Sequence, residues 1–460
     1  MRHRGFYHDV TRGKVPEVET LKKLIDTMAY YKMNSLQLYV EHTFPFKELG
    51  DDVEKFGYLT ADEIKELDDY CYDNFVEFIP SIATFGHLYE LLQKEEYKDL
   101  RTIDNYKDEF IFWIERMRHH TIDPQNPKSL EIIKSLIDQY LPLFRTDKFN
   151  ICCDETFDLK VGKYKDKDTG KLYVDFVKKI IDYLKSKGKK IMMWGDILLE
   201  HPEAIKDLPG DIQFLNWHYS PNPKEENFVV FENSGCEQIV CPGTGTWKRL
   251  VECIDSSSKN ICRVLDLGYV HNAVGMLNTN WGDFGNPCSL ELAMHGLVLG
   301  AAKSWNKITE VNEEFTDSIN ALQYKNENAV KYLSILDDTS EKISWEKLVY
   351  CYSNYIYDST HNIKHPEKDE IESTVASCKS VIDDLKFQTW EKEEYRRELL
   401  VCAEGIIVMA ELFAKLAGYE MRRASDTSKW LSNYKKSWLE SNKESELNEI
   451  EKMFNTLEAL

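Results

Sequence analysis

The chain has 460 residues, of which 42% are hydrophobic and 30% are charged. These are ordinary values for a globular protein, and they exclude a chain that is disordered, collagen-like or membrane-spanning as a whole. Its 58 Lys and Arg residues and 79 Asp and Glu residues give a formal net charge of −21. Because that excess of negative charge repels phosphate backbones and anionic lipids, we expect neither a nucleic acid nor a membrane as partner.

The first part of the chain alternates predicted strands and helices. Short runs rich in β-branched and aromatic residues are separated by amphipathic stretches of helical period, which is typical of a parallel sheet with crossover helices. The predicted strands are 5–10, 35–40, 77–83, 149–153, 190–194, 212–217, 238–241 and 273–278, and predicted helices include 18–33, 61–75, 129–144, 172–187 and 290–304. Eight such units favour a closed (β/α)8 TIM barrel over an open doubly wound sheet.

The second part of the chain is predicted to be helical. Of 13 prolines and 21 glycines, only Pro366, Gly405 and Gly418 lie after residue 305. Apolar residues recur three and four positions apart at 395–416 and 444–457, which indicates amphipathic helices. We therefore predict a barrel over residues 1–305 and an all-helical C-terminal region over 306–460 that packs against it.

The cysteines and the N-terminal residues indicate in which cellular compartment we expect the protein. The eleven cysteines are scattered and none forms a paired CxxC, so the sequence predicts neither a disulfide framework nor a metal site. No stretch near Met1 has the apolar length of a signal peptide, and no run of about 18 apolar residues occurs. We expect a cytoplasmic protein that uses no cofactor, and the sequence leaves a homo-oligomer open.

Tryptophans cluster after the predicted strands. In a (β/α)8 barrel the loops that follow the strands form the mouth, where functional groups gather. A tryptophan there offers a broad apolar face to the C–H side of a pyranose ring. Any one of them is as readily a core residue that seals the barrel, whereas the four together favour a sugar site: Trp194, Trp217, Trp247 and Trp281.

Asp154 and Glu155 follow the apolar fourth strand directly. A strand end brings at least one of two successive carboxylates into a partly desolvated site, which pushes that group toward protonation. Glycoside cleavage uses such a pair, with one carboxylic acid to protonate the leaving oxygen and one carboxylate that stays ionised. Surface pairs such as Asp62 and Glu63 also occur, so the position at a strand end carries this prediction.

Two basic residues near the predicted strands have open roles. Arg4 either clamps sugar hydroxyls or pairs with Asp9 or Glu41. His87 lies in a Gly-His turn, where it either hydrogen-bonds a carboxylate or hydroxyl or is a structural histidine.

Six motifs at the strand ends, taken together and in order, resemble those of glycoside hydrolase family 20, the exo-acting β-N-acetylhexosaminidases. The resemblance covers the barrel. The motifs are Arg-Gly-Phe-Tyr-His-Asp-Val-Thr-Arg from Arg4, Leu-Gln-Leu-Tyr-Val-Glu-His-Thr from Leu36, Ile-Ala-Thr-Phe-Gly-His from Ile82, Cys-Asp-Glu-Thr from Cys153, Met-Trp-Gly-Asp from Met193 and Trp-Gly-Asp from Trp281.

The resemblance implies a retaining, substrate-assisted hydrolysis of terminal β-linked GlcNAc or GalNAc from an oligosaccharide or glycoconjugate. In that family the acetamido oxygen of the substrate attacks the anomeric carbon and forms an oxazolinium. Asp154 would hold the acetamido group, and Glu155 would be the acid and later the base. The substrate-binding residues that follow are Arg4, Glu41 and Asp283 on hydroxyls, His87 in the third motif, Trp194, Trp217 and Trp281 as aromatic walls, and Tyr219 on the acetamido oxygen. Trp247 is added as a substrate-binding candidate because it is the fourth tryptophan at the mouth.

Two alternatives stay open at this stage. One is another 2-acetamido-dependent glycosidase with a different sugar or leaving-group preference. The other is a non-catalytic carbohydrate-binding protein on a degenerate barrel. The intact pair of Asp154 and Glu155 argues against the second, because a binding protein gains nothing from an acid of raised pKa.

Overall fold

The computed structural model describes residues 1–103, 109–118, 120–357 and 362–460. Within these ranges eight parallel strands pair in chain order, and the first also pairs with the last, so the sheet closes into a barrel. The predicted (β/α)8 barrel is therefore confirmed. The strands are β1 (His3–Asp9), β2 (Ser35–Val40), β3 (Glu77–Ile82), β4 (Lys148–Asn150), β5 (Lys190–Trp194), β6 (Gln213–Trp217), β7 (Glu237–Cys241) and β8 (Gly275–Asn280).

The fourth strand is shorter than its apolar run predicted. It ends at Asn150, and the prediction that it continues to Cys153 is wrong. Cys152 and Cys153 have φ angles of 56° and 64°, which belong to the left-handed region and cannot extend a strand. The apolar run stays buried, but its second half is a turn at the mouth of the barrel.

Helices surround the barrel, and five of them lie where the periodicity predicted helices. Their ends follow capping chemistry: for example, the side chain of Asn126 accepts a hydrogen bond from the Lys128 N–H, and Pro127 occupies the first helical position. These helices are α1 (Val18–Tyr30), α2 (Ala61–Asp73), α3 (Tyr89–Leu92), α4 (Phe112–Arg116), α5 (Pro127–Tyr140), α6 (Thr169–Ser186), α7 (Asp196–Glu200), α8 (Glu226–Ser234), α9 (Ile254–Val270) and α10 (Met294–Trp305).

The C-terminal region is helical, as predicted. Its helices are α11 (Glu313–Ile319), α12 (Ala329–Lys342), α13 (Trp345–Tyr357), α14 (Lys368–Lys386), α15 (Glu393–Leu416), α16 (Thr427–Ser441) and α17 (Leu447–Ala459). The Trp345 Nε1–H donates to the backbone oxygen of Phe284 at 2.8 Å, and the Tyr434 hydroxyl donates to that of Pro287 at 3.0 Å. One cluster of buried apolar side chains runs from the barrel into these helices, so the division near residue 306 stays a proposal.

Among the helices that the structure describes, none combines the length and the hydropathy required to cross a lipid bilayer.

Candidate active site

A cavity of about 370 Å³ opens at the carboxyl ends of the barrel strands. This volume lies within the range of small-molecule sites, and the position is where (β/α)8 enzymes place their chemistry. Predicted site residues that line it are Asp154, Glu155, Trp194, Trp217, Tyr219, Trp247, Trp281 and Asp283. The structure thus brings together eight side chains from the ends of five different strands.

A left-handed turn presents the two carboxylates to this cavity. Glu155 has a φ of 49° and continues the left-handed angles of Cys152 and Cys153. Such angles are energetically unfavourable for non-glycine residues, and backbone strain of this kind is common at functional sites. Gly86 lies against the turn, and a Cβ atom there would be 2.5 Å from the backbone oxygen of Asp154. Glycine at position 86 therefore permits the close approach of the β3 and β4 loops.

His87 pairs with both carboxylates. Its Nε2 lies 3.4 Å from Asp154 Oδ2 and 3.1 Å from Glu155 Oε2, and its side chain is buried. Burial opposes protonation of the imidazole, but Asp154, by charge and hydrogen bond, and Glu155 outweigh that effect and raise the pKa of His87 to about 10. At neutral pH His87 is therefore a cation between two acids.

Asp196 supports the turn from the next loop. Its Oδ2 accepts a hydrogen bond of 2.9 Å from the backbone N–H of Glu155. Burial, together with the charge of Asp154, raises the pKa of Asp196 to about 8. Since three carboxylates share this corner, burial and the neighbouring charges favour the protonated form of Asp196.

Arg12 contributes a guanidinium group to the site. Its Nη1 lies 3.0 Å from Asp283 Oδ1 and 3.5 Å from Asp9 Oδ2, and its Nη2 lies 3.4 Å from Glu41 Oε1. The same Nη2 is 3.3 Å from His87 Nδ1. Arg12 is almost fully buried and lines the cavity, so three acids hold one planar cation in a single orientation.

The prediction that Arg4 binds substrate is wrong. Arg4 lies at the amino end of β1, where its Nε donates to the backbone oxygen of Lys32 at 2.8 Å and its Nη1 to that of Met1 at 2.9 Å. Its guanidinium covers the ring of Trp305, 5.0 Å from the centroid. The amino and carboxyl ends of parallel strands lie on opposite faces of a barrel, so only Arg12, which follows β1, reaches the mouth.

Glu41 lies behind Arg12 rather than on the cavity wall. Its Oε1 accepts a hydrogen bond of 2.8 Å from the Tyr39 hydroxyl. Burial alone would raise the pKa of Glu41, but a hydrogen bond from His42 and the charges of Arg12 and His87 lower it to about 2. Glu41 therefore acts on the cavity through the two cations that it holds.

Aromatic rings form the remaining walls. Tyr219 stacks on Trp217 with 5.1 Å between centroids and 19° between planes, and Trp247 lies 5.1 Å from Tyr219. The Trp281 Nε1–H donates to the Tyr219 hydroxyl at 2.7 Å. Trp194 lies 6.0 Å from Trp281 across the floor. Since the tyrosine hydroxyl accepts from the indole, its own hydrogen can be donated into the cavity.

Metal binding fits these residues less well than an ion pair does. Possible ligand atoms of His87, Asp154 and Glu155 lie within 4.8 Å of one another. The structure shows these groups as ion pairs, with His87 Nε2 3.4 Å from Asp154 Oδ2 and 3.1 Å from Glu155 Oε2.

Residues 1–247, more than half of the chain, match the model of the glycosyl hydrolase family 20 catalytic domain. The chain belongs to glycosyl hydrolase family 20. Membership confirms the family that the strand-end motifs predicted, and with it the class of glycoside hydrolases.

Two relatives of this family 20 chain are hexosaminidases. Hexosaminidase D of Homo sapiens is 25% identical over 223 residues, which are 45% of this chain and 43% of that protein. The β-hexosaminidase of Porphyromonas gingivalis is 24% identical over 270 residues, or 53% of this chain and 33% of that protein. The chain thus spans less than half the length of these two relatives.

Solved structures share the fold. The β-N-acetylhexosaminidase from Bacteroides fragilis aligns with a TM-score of 0.54 and 19% identity over 70% of each chain. Flavobacterium johnsoniae chitobiase aligns with a TM-score of 0.52 and 17% identity over 98% of this chain and 78% of its own.

Sequence reasoning missed several residues that line the cavity of this family 20 protein. Arg12 stands three residues after β1 and inside the first motif, so its place after the strand end was a usable signal. The C-terminal helices carried no such signal. The missed residues are Arg12, Met117, Lys248, Phe284, Glu346 and Tyr350.

Proposed function

We propose that this chain is a retaining exo-β-N-acetylhexosaminidase that removes terminal β-linked GlcNAc or GalNAc by substrate-assisted catalysis. The observation that carries the proposal is the contact of one buried histidine, His87, with two adjacent carboxylates on a cavity walled by tryptophans. A general acid needs neighbouring groups that adjust its pKa, and His87 is such a group. The C–H face of a pyranose packs on aromatic rings, which the tryptophans supply.

Glu155 is the proposed acid and base. Its side chain is 24% exposed, against 11% for Asp154, so it is the more accessible of the two carboxyl groups. In the first step the C1–O bond to the leaving group breaks, and Glu155 gives its proton to the leaving oxygen. In the second step Glu155 takes a proton from the water that attacks C1.

The substrate supplies the nucleophile. Its acetamido carbonyl oxygen attacks C1 and forms a C–O bond as the glycosidic bond breaks, which gives an oxazolinium; water then reopens it and restores the β configuration. Asp154 would accept a hydrogen bond from the acetamido N–H and stabilise the positive charge that develops on nitrogen. Tyr219 would donate to the acetamido oxygen and fix its direction of attack.

The buried end of the cavity suits a terminal sugar. Arg12 and Asp283 lie together there and offer donors and acceptors to the hydroxyls farthest from the scissile bond. Glu41 would contribute by holding Arg12 and His87 rather than by touching the sugar.

Release of nitrophenol from nitrophenyl β-GlcNAc, β-GalNAc and β-glucoside tests the proposal. We expect turnover of the first two and none of the glucoside, because glucose has no acetamido group to attack C1. Equal turnover of the glucoside would contradict the mechanism, and sugar binding without turnover of any substrate would identify a binding protein. A thiazoline that mimics the oxazolinium should inhibit far more strongly than the free sugar.

A further inference from the structure

The two loops that carry Arg12 and Asp283 touch backbone to backbone. Gly13 follows Arg12, and Gly285 lies two residues after Asp283. A Cβ atom at Gly13 would be 2.4 Å from the backbone oxygen of Gly285, so this contact has no room for a side chain. The relative position of Arg12 and Asp283 therefore depends also on what holds the two glycines together.

Trp113 packs against Gly285, and Glu446 holds its indole. A Cβ atom at Gly285 would be 2.8 Å from Trp113 Cζ2. The Trp113 Nε1–H donates to Glu446 Oε2 at 2.7 Å, and the backbone N–H of Glu446 donates to the oxygen of Gly13 at 3.4 Å. These contacts form a closed ring that begins and ends at Gly13. We call its four members, Gly13, Trp113, Gly285 and Glu446, the support ring.

The carboxylate of Glu446 is buried and bound on both oxygens. Its Oε1 accepts from Arg116 Nη1 at 2.5 Å, and Arg116 Nη2 donates to Glu90 Oε1 at 2.7 Å. Loss of one partner of such a buried ion pair is strongly unfavourable, so the pair keeps a single geometry. Glu446 precedes α17 and lies outside residues 1–247, so the family match does not describe this support.

The segment before Glu446 binds the same loop after β1. The backbone N–H of Lys443 donates to the oxygen of Val15 at 2.8 Å, and the N–H of Val15 donates to Ser445 Oγ at 3.2 Å. Val15 lies three residues after Arg12. Hydrogen bonds to the loop that carries Arg12 therefore place Glu446 in the support ring.

We propose that Glu446 is a positioning residue for recognition of the terminal sugar. The inference rests on the proposed function, in which Arg12 and Asp283 bind the hydroxyls farthest from the scissile bond. Through the support ring, Glu446 would set the distance between the two loops and thereby aim Arg12 and Asp283 at those hydroxyls. Glu446 is not among the described residues that line the active-site cavity, so it would act only through the ring.

The full chain is tested with nitrophenyl β-GlcNAc and its 4-deoxy analogue, which lacks the hydroxyl opposite C1 on the ring. Glu446→Gln keeps the size of the side chain but replaces one acceptor oxygen by a donor, so either the indole or the guanidinium loses its bond. We expect kcat/KM to fall about tenfold for the GlcNAc substrate and at most about twofold for the analogue, because the contact in question is already absent there. Glu444→Gln, exposed two residues earlier, is the control.

A second variant, Trp113→Phe, removes the indole donor and should show the same selective loss, which keeps the test open if Glu446→Gln does not fold. If the unmodified protein cleaves neither substrate, the proposed function fails and the inference falls with it. If it cleaves the two equally well, Arg12 and Asp283 do not bind that hydroxyl, and the inference fails although hydrolysis stands. If it prefers GlcNAc and the folded variants lose both activities by the same factor, Glu446 is only structural and this inference alone is wrong.

Discussion

Arg12 donates a hydrogen bond to Asp283, with 3.0 Å between Nη1 and Oδ1, and thereby joins the loop after β1 to the loop after β8. These strands close the barrel. Asp9 strengthens the same seam, because its Oδ2 accepts from the Gly282 N–H at 3.0 Å while its Oδ1 accepts from the Thr11 N–H at 2.9 Å. One hydrogen-bonded unit therefore joins the two loops at the seam of the barrel and orients the guanidinium.

Replacement of Arg12 by Ala should abolish most activity and destabilise the fold. It would leave Asp9, Glu41 and Asp283 as buried acids without their cation, which costs about 3 to 5 kcal/mol of the free energy of unfolding. We expect kcat/KM for nitrophenyl β-GlcNAc to fall on the order of 10²-fold or more, since the proposed contact between Arg12 and the sugar hydroxyls would be lost. Urea unfolding and steady-state kinetics measure the two effects.

Arg4→Ala is the matched control for that variant. Arg4 lies at the opposite end of β1 and binds backbone oxygens there, so its loss should leave kcat/KM within about twofold. Equal loss of activity in the two variants would contradict the assignment of Arg12 to the site.

Glu155→Gln should lower kcat on the order of 10² to 10⁴-fold for diacetylchitobiose, whose leaving alkoxide needs a proton. The loss should be smaller for a nitrophenyl substrate, because nitrophenolate leaves without full protonation. Asp62→Asn, in an exposed Asp-Glu pair, is the control and should keep full activity. Full activity of the Glu155 variant on the disaccharide would show that another group is the acid.

His87 should stabilise the protein most at low pH. Its pKa is raised from an ordinary 6.5 to about 10 in the folded state. The folded state therefore keeps a proton that the unfolded state releases, so the stabilisation is complete below pH 6.5 and is lost as the pH rises through about 10. Urea unfolding of the unmodified protein and of His87→Gln should show the largest difference near pH 6 and little near pH 10. A difference that does not change with pH would mean that His87 is neutral.

Asp196 should tolerate replacement by Asn but not by Ala. Asn keeps an oxygen that can accept a hydrogen bond from the Glu155 N–H. Asn is also uncharged, like the protonated form of Asp196 that predominates below its pKa of about 8. Ala removes the acceptor and frees the strained turn, so we expect a loss of kcat of about tenfold or more. Activity measurements from pH 5 to 9 on both variants test this. Similar losses in both would show that the charge of Asp196 is required.

The same raised pKa has a second consequence, a pH dependence of stability with the same sign as that of His87 but at lower pH. Between about pH 4 and pH 8 the unfolded chain has released the Asp196 proton and the folded chain has not, so the free energy of unfolding falls as the pH rises. In Asp196→Asn this slope should be smaller. An unchanged slope in urea unfolding would assign the raised pKa to another group.

Periodicity predicted most of the framework because each barrel strand is a local, apolar run between turn residues. It failed at Cys152 and Cys153, where an apolar run bends into left-handed conformations that cysteine seldom adopts. The cysteines there are apolar because the turn is buried. The turn also packs against Gly86, and the Glu155 N–H donates a hydrogen bond to Asp196. Those contacts join residues far apart in the chain, and no local pattern reports them.

By itself the sequence determined the alternation of strands and helices, the helical C-terminal region and the carboxylates that follow the fourth strand, since these depend on local spacing and composition. Only the tertiary structure decided that Arg12 rather than Arg4 enters the cavity, and that α13 supplies Glu346 and Tyr350 to its wall. Which end of a strand faces the mouth, and which distant helix covers it, follow from the closure of the barrel and from long-range packing. Those are properties of the whole chain in three dimensions.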